Sequence, residues 1–234
     1  MDKLYITSTT SYGIVIFRKR EFKSHYYEKF SNFVVVTEKL RTKYIDIHTH
    51  NPRVDVLSPT MAGIHPWQAE NAMELPDFSQ CDIIGETGLD YACEVDREAQ
   101  KRLFIEHLEA ATKANKPIVL HAVKAVDDIL NILKDYSALR GAIFHGFIGS
   151  WQQAERCIER GYYLSFGPRS LGSPKTKEVI SKMPHNLLFC ETDAEHDKGN
   201  IEQIYSEVAK LRGVSIEELT KSIEENYNTI FRNG

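Results

Sequence analysis

From residue 44 onward, short apolar runs alternate with longer stretches in which apolar residues recur every three or four positions. The runs lie at 44–48, 61–64, 82–86, 117–121, 142–145, 162–166 and 187–191, and their length and β-branched or aromatic content predict strands. Between them the spacing predicts helices. Asp96 caps one that runs to about Asn115 with Leu103, Phe104, His107, Leu108 and Ala111 on one face. Others cover 125–136, the stretch from Ser150 to Gly161, 175–183, and 199–211 up to Gly213. Ser215 and Glu218 form a capping box for a last helix that reaches Phe231. Strands alternating with helices are the pattern of a parallel sheet. Seven strands, or eight if 54–57 counts, predict an α/β fold of the TIM-type (β/α) barrel kind, with an open doubly wound sheet as the alternative.

Residues 1–43 do not follow this pattern. Runs at 12–17 and 33–37 read as strands, but the Arg18-Lys19-Arg20 cluster and the His25-Tyr26-Tyr27 stretch show neither periodicity. Two units are therefore expected: a weakly ordered or small β-rich N-terminal extension over 1–43, and a barrel domain over 44–234. Charge divides in the same way. The first 43 residues hold nine Lys/Arg against four Asp/Glu, a balance of +5, which leaves −9 on the other 191 to give the net −4. An acidic body is a poor non-specific nucleic-acid binder, yet carboxylates gathered around metal ions give a locally positive site, so net charge does not decide the substrate.

Composition changes the picture little. No apolar run approaches the roughly 18 residues that span a bilayer, and no membrane partner is expected. Secretion has no support at the N-terminus. Cys81, Cys93, Cys157 and Cys190 stand apart without a C-x-x-C pair, as reduced thiols of a cytoplasmic protein would.

Chemistry gathers where the runs stop. Residues 44–50 read Y-I-D-I-H-T-H, and strand alternation puts His48 and His50 on one face. Alone, such a pair is more often packing than a metal clip. Downstream runs, however, end at Glu86, at His121, at His145, and at Glu191 with Asp193. The chain has nine histidines, and four of them fall at the ends of three of these runs. In a parallel barrel those ends converge on one face, so His48, His50, Glu86, His121, His145 and Asp193 would surround one pocket. Four imidazoles and two carboxylates suffice for two divalent ions. Asp46 and Glu191 alternate off the ligand face and would orient neighbouring groups.

These residues also carry a resemblance. The motifs I-D-I-H-T-H (45–50), G-I-H-P (63–66), I-G-E-T-G-L-D-Y (84–91), a helix with Gln100 and Phe104, P-I-V-L-H (117–121), H-G-F-I-G-S (145–150), G-Y-Y-L-S-F-G (161–167), L-L-F-C-E-T-D (187–193) and E-N-Y-N-T-I-F (225–231) resemble, in order, those of the TatD-type metal-dependent deoxyribonucleases. That family has an amidohydrolase-like TIM barrel. The resemblance implies that His48, His50, Glu86, His121, His145 and Asp193 hold two divalent ions (Mg, Mn or Zn), with a third left open, and that Glu86 is the bridge. It implies a phosphodiesterase acting on single-stranded DNA through metal-activated water, with Glu86 and Asp193 catalytic and Asp193 taking the water's proton. His65 and Trp67 would contact substrate or pack at the rim, and Trp67 has a face on which a base stacks. His25, His107, His185 and His196 take packing or surface roles, His196 being the best placed of them for function.

Three departures from the family stand out. Only twelve residues separate His50 from Gly63, too few for the family's intervening unit, so the barrel is expected to be shortened by one βα unit near the first strand. Where the family often has an arginine two residues after the histidine of the fourth run, this chain has Val123 followed by Lys124, and Lys124 would supply the positive charge for a phosphate. After E-T-D it reads Ala194-Glu195-His196-Asp197 in place of a proline and an aromatic. Such loops choose substrate, so two other readings stay open: an amidohydrolase or lactonase on a small molecule, and a catalytically weak metal-binding interaction module. No obligate protein partner is inferred.

Overall fold

A computed structural model describes residues 4–10, 13–18, 35–36, 44–196 and 199–232. The chain divides into two units, Met1–Lys43 and Tyr44–Gly234. In the first, β1 (Leu4–Thr10), β2 (Gly13–Arg18) and β3 (Val35–Val36) form an antiparallel sheet in that order. The Ser/Thr-rich β1 carries too little apolar content to be read from sequence. Lys19, Arg20 and the 25–27 stretch lie outside the described residues.

In the second unit the apolar runs are near-continuous because parallel strands bury both faces. They form β4 (Met61–Ala62), β5 (Ile83–Asp90), β6 (Ile118–Val123), β7 (Ala142–Phe144), β8 (Tyr163–Phe166) and β9 (Leu188–Cys190). All pair in parallel, in chain order, in one sheet. Around them run α1 (Arg97–Ala114), α2 (Val126–Ile132), α3 (Trp151–Ile158), α4 (Pro168–Leu171), α5 (Pro174–Lys182), α6 (Ile201–Arg212) and α7 (Ile216–Phe231). This is a TIM-type arrangement, and the core between its layers includes Ile47, Phe104, Phe144, Phe166 and Phe189, all fully buried. The predicted caps form: Asp96 accepts from Ala99 N at 2.7 Å, and Ser150–Gln153 and Ser215–Glu218 close capping boxes. Among the described residues no helix is long and apolar enough to cross a membrane.

The first run departs from expectation. Residues 44–48 make a single parallel bridge, Ile45 to Leu57, and take their other main-chain partners from the far side, Ile47 N to Cys190 O at 3.1 Å and Asp193 N to His48 O at 3.0 Å. Tyr205 on α6 brackets Ile45, its hydroxyl accepting from Ile45 N at 3.1 Å and donating to Ile45 O at 3.0 Å. Of the 54–57 segment only Leu57 pairs, and Val54 is exposed. No helix lies between His50 and β4, so the barrel is short of a βα unit there.

β5 and β6 approach unusually closely. At Gly88, with φ of +138°, an added Cβ would sit 2.2 Å from the His121 carbonyl oxygen. At Gly85, with φ of +137°, it would sit 2.6 Å from that of Val119. Only glycine tolerates both the dihedral and the contact. Gly88→Ala is therefore expected to destabilise the protein by roughly 3 kcal/mol and to displace His121. Chemical denaturation midpoints check this, and an unchanged midpoint would contradict the packing described.

Candidate metal centre

The C-terminal ends of these strands bring together the side chains that the runs terminate in. Glu86 is the hub. Its Oε1 lies 2.6 Å from His121 Nδ1, 2.5 Å from His145 Nε2 and 3.5 Å from His65 Nε2. Its Oε2 faces the other way, 3.6 Å from His48 Nε2 and 3.7 Å from His50 Nε2. Asp193 Oδ1 completes that second side, 3.4 Å from His48 Nε2 and 3.8 Å from His50 Nε2.

Two kinds of spacing are present. The short contacts on Oε1 are hydrogen bonds. Those among His48, His50, Asp193 and Glu86 Oε2 are too long for hydrogen bonds, but ligands about 2.1 Å from one tetrahedral ion sit roughly 3.4 Å apart. His48 is fully buried with neither ring nitrogen hydrogen-bonded, a costly state for a polar ring that has no further partner. Three groups of potential ligand atoms lie within 4.8 Å of one another: His48, His50 and Asp193; His48, Glu86 and His145; and His65, Glu86 and His121. Imidazole nitrogens with carboxylate oxygens are donors for Zn or Mn, and these residues fit a pair of such ions.

A second layer of carboxylates holds these side chains. Asp90, at the end of β5, lies 3.2 Å from His121 Nε2 through Oδ2, and the same oxygen accepts from Trp67 Nε1 at 2.7 Å. Glu191 accepts from Gly146 N at 2.5 Å and lies 3.5 Å from His145 Nδ1. Asp46 accepts from Thr192 N at 2.9 Å and from Thr192 Oγ1 at 2.6 Å, fixing the loop that carries Asp193. Asp193 has φ of +49°, a left-handed conformation that a non-glycine residue keeps only where its surroundings impose it. His107 on α1 fastens another wall. Its Nδ1 donates to Leu103 O at 2.8 Å, and its Nε2 accepts from Ile64 N at 3.0 Å, beside His65.

Electrostatics follow the layout. Burial alone would raise the Glu86 pKa, but His121 and His145 at hydrogen-bond distance, with His65 beside them, outweigh it and hold the carboxylate ionised. At about 1.5–3 kcal/mol each, two such bonds to a charged group offset a penalty of several kcal/mol. Burial would lower the His145 value, but Glu191 and Glu86 push it up to about 10. Asp193 is also held below its ordinary value: burial opposes this, and the neighbouring His48 and His145 imidazoles prevail. Burial pushes the Asp46 carboxyl up to about 7 despite its two bonds from Thr192.

The site opens into a cleft of about 920 Å³ lined by His50, His65, Trp67, Glu86, Asp90, Cys93, His121, His145, Arg169 and Asp193, among others. Trp67 is 59% exposed there. Of the residues singled out from sequence, His48, His50, Glu86, His121, His145 and Asp193 come together. His65, read as a rim contact, stands inside a group of ligand atoms. Lys124 does not join them: with φ of +54° the chain turns away after β6, leaving this side chain exposed and outside the cleft lining. Arg169, in the first turn of α4, is the one Lys or Arg among the lining residues. Sequence reasoning missed Arg169 and Asp90, although Asp90 lies four residues beyond Glu86, on the same strand face. His196 is exposed and lines a neighbouring cleft of about 770 Å³. His185 serves the fold through its carbonyl, which accepts from Ser222 and Asn226.

Comparison with known proteins matches residues 13–232 to the family described as TatD related DNase. The match begins inside the first unit. The metal-dependent hydrolase YabD of Bacillus subtilis, itself uncharacterised, is 31% identical over 174 residues, 68% of each chain. The 3′-5′ ssDNA/RNA exonuclease TatD of Shigella flexneri is 26% identical over 198 residues, 73% of this chain and 76% of that one. In fold, the chain is similar to the crystal structure of the TatD homologue YjjV from Escherichia coli, with a TM-score of 0.72 and 23% identity over 82% of this chain and 99% of that one.

The raised His145 value sets a proton balance. Without metal, protonated His145 contributes stability that is fully present below its ordinary value of 6.5 and is lost as pH rises through about 10. An imidazolium cannot be a ligand. Adding Zn²⁺ to chelator-treated protein at pH 7 is therefore expected to release at least one proton per chain. Calorimetric enthalpies measured in buffers of different ionisation heat report this number, and a value of zero would contradict the assignment.

Proposed function

The chain belongs to the family of TatD-related DNases and is a metal-dependent hydrolase, and on that footing we propose that it cleaves phosphodiester bonds in single-stranded DNA. The observation that carries this reading is the division of one buried carboxylate between two sets of donors. Glu86 Oε2 faces His48 and His50, and Oε1 faces His121, His145 and His65. In this reading His48, His50 and Asp193 would hold one ion and His121 and His145 the other, Glu86 would be shared between the two sets, and His65 would be available to a third. When bound, such a pair activates water and offsets the charge of a phosphodiester and its leaving oxygen.

The chain's own groups do the rest. Asp193 is ionised, 25% exposed in its side chain and beside the buried ligands, so it can take the proton of an attacking water. Glu191 and Asp90 hold His145 and His121 from behind. Arg169, with a planar fork suited to phosphate, gives the cleft its positive charge. Trp67 offers an exposed indole on which a base stacks, tolerant of sequence. Four free thiols, Cys81, Cys93, Cys157 and Cys190, favour the reducing cytoplasm. The relative named a 3′-5′ ssDNA/RNA exonuclease makes RNA the first alternative polymer to try.

End-labelled single-stranded DNA incubated with the protein and Mg²⁺, Mn²⁺ or Zn²⁺ is expected to be degraded, and a chelator to abolish the activity. Glu86→Gln and His121→Ala are each expected to lower kcat/KM by at least about 100-fold, and Trp67→Ala to raise KM. Intact DNA together with hydrolysis of a lactone or cyclic amide would sink the nuclease reading.

A further inference from the structure

Asp90 is 4% exposed and stands at the last position of β5. Its main chain cannot shift, because Gln100, fully buried on α1, accepts from Asp90 N at 2.7 Å and donates to Asp90 O at 3.0 Å and Val95 O at 3.0 Å. Its Oδ1 accepts from Ala92 N at 2.8 Å. That leaves Oδ2, which serves two groups at once: Trp67 Nε1 at 2.7 Å and His121 Nε2 at 3.2 Å. An indole nitrogen only donates, and an ionised carboxylate only accepts. His121 must then carry a hydrogen on Nε2, so that Nδ1, which faces Glu86 Oε1, His65 Nε2 and His145 Nε2, is the nitrogen left for a metal ion when one is bound.

We propose that Asp90 is a positioning residue for both halves of the site, one of its oxygens fixing the tautomer of His121 and the setting of the exposed Trp67 indole. The proposal rests on the reading of His121 as a metal ligand. The geometry gives it content. His65 sits edge-on to both rings, with centroids 4.5 Å from Trp67 and 4.5 Å from His121. The aromatic rim and the ligand cluster are thus one packed unit with a single acceptor at its base. An amide in place of the carboxylate must turn its NH₂ toward either Ala92 N–H or the pair of ring N–H groups, so one donor always faces another.

The test compares Asp90→Asn and Trp67→Phe with the wild-type protein. Asp90→Asn is expected to weaken Zn²⁺ or Mn²⁺ binding about 10–100-fold by calorimetry, to lower kcat on single-stranded DNA similarly and to raise KM. Its metal-free far-ultraviolet dichroism should stay unchanged. Trp67→Phe, which removes the indole N–H and its five-membered ring but keeps an aromatic face, is expected to raise KM while metal affinity stays within two-fold. In the double variant the KM rise should be no larger than in Asp90→Asn alone. Independently of any variant's folding, long-range ¹H–¹⁵N spectra of the Zn²⁺-loaded wild type should show His121 protonated on Nε2. Protonation on Nδ1, or an Asp90→Asn variant with wild-type metal affinity and kcat, would overturn the proposal. A wild type that binds metal but leaves DNA intact would refute the nuclease reading, and the calorimetry and spectra would still decide the role of Asp90.

Discussion

Glu86 is a carboxylate in a place where burial argues against charge, and the architecture around it can be understood as the set of donors that keeps it ionised. No single element supplies them. His48 and His50 come from the first run, His65 from just past β4, His121 from the end of β6 and His145 from just past β7. A parallel sheet is the arrangement in which so many chain segments deliver side chains to one point, since every strand ends on the same face. The glycines of β5 belong to the same requirement: they let its backbone close on that of β6, so that Glu86 and His121 reach hydrogen-bond distance.

Around the hub lies a ring of acids that contribute charge without facing outward. Asp46, Asp90 and Glu191 are all buried, and each is committed to a neighbour: the Asp193 loop, His121 and Trp67, and His145 respectively. These acids, together with Glu86 and Asp193, account for part of the negative balance of residues 44–234. Net charge therefore says little about what the cleft attracts, because these carboxylates are turned toward imidazoles and main-chain amides rather than toward solvent. Arg169 is what an approaching anion meets among the lining residues.

Much of this was legible in the sequence, for physical reasons. Strands buried on both faces leave apolar runs that periodicity finds, and caps such as Asp96, Ser150 and Ser215 mark helix starts by hydrogen bonds local to a few residues. A polar side chain where an apolar run stops needs a reason, and His121, His145 and Asp193 were visible on that ground. What stayed hidden depends on backbone direction after the strand. Lys124 follows His121 closely, but a left-handed turn leaves it exposed and away from the cleft. Arg169 enters because the chain turns into α4 after Gly167, which composition does not encode. His65 follows a two-residue strand, too short for a pattern to fix its direction, and its place depends on a hydrogen bond between Ile64 and His107 on α1.

The bracket that Tyr205 places on Ile45 bears on how the molecule assembles. Its partners are 160 residues apart in sequence, and other restraints on the first run come from Leu57, Cys190, Thr192 and Asp193. Contacts of such separation close large loops and form slowly. The arm bearing His48 and His50 thus draws most of its register from β9, the loop after it and α6. The pocket's first two histidines by sequence are held by segments near the other end of the chain, and a nascent chain released before its C-terminal third is made carries them without most of the partners that hold them in place.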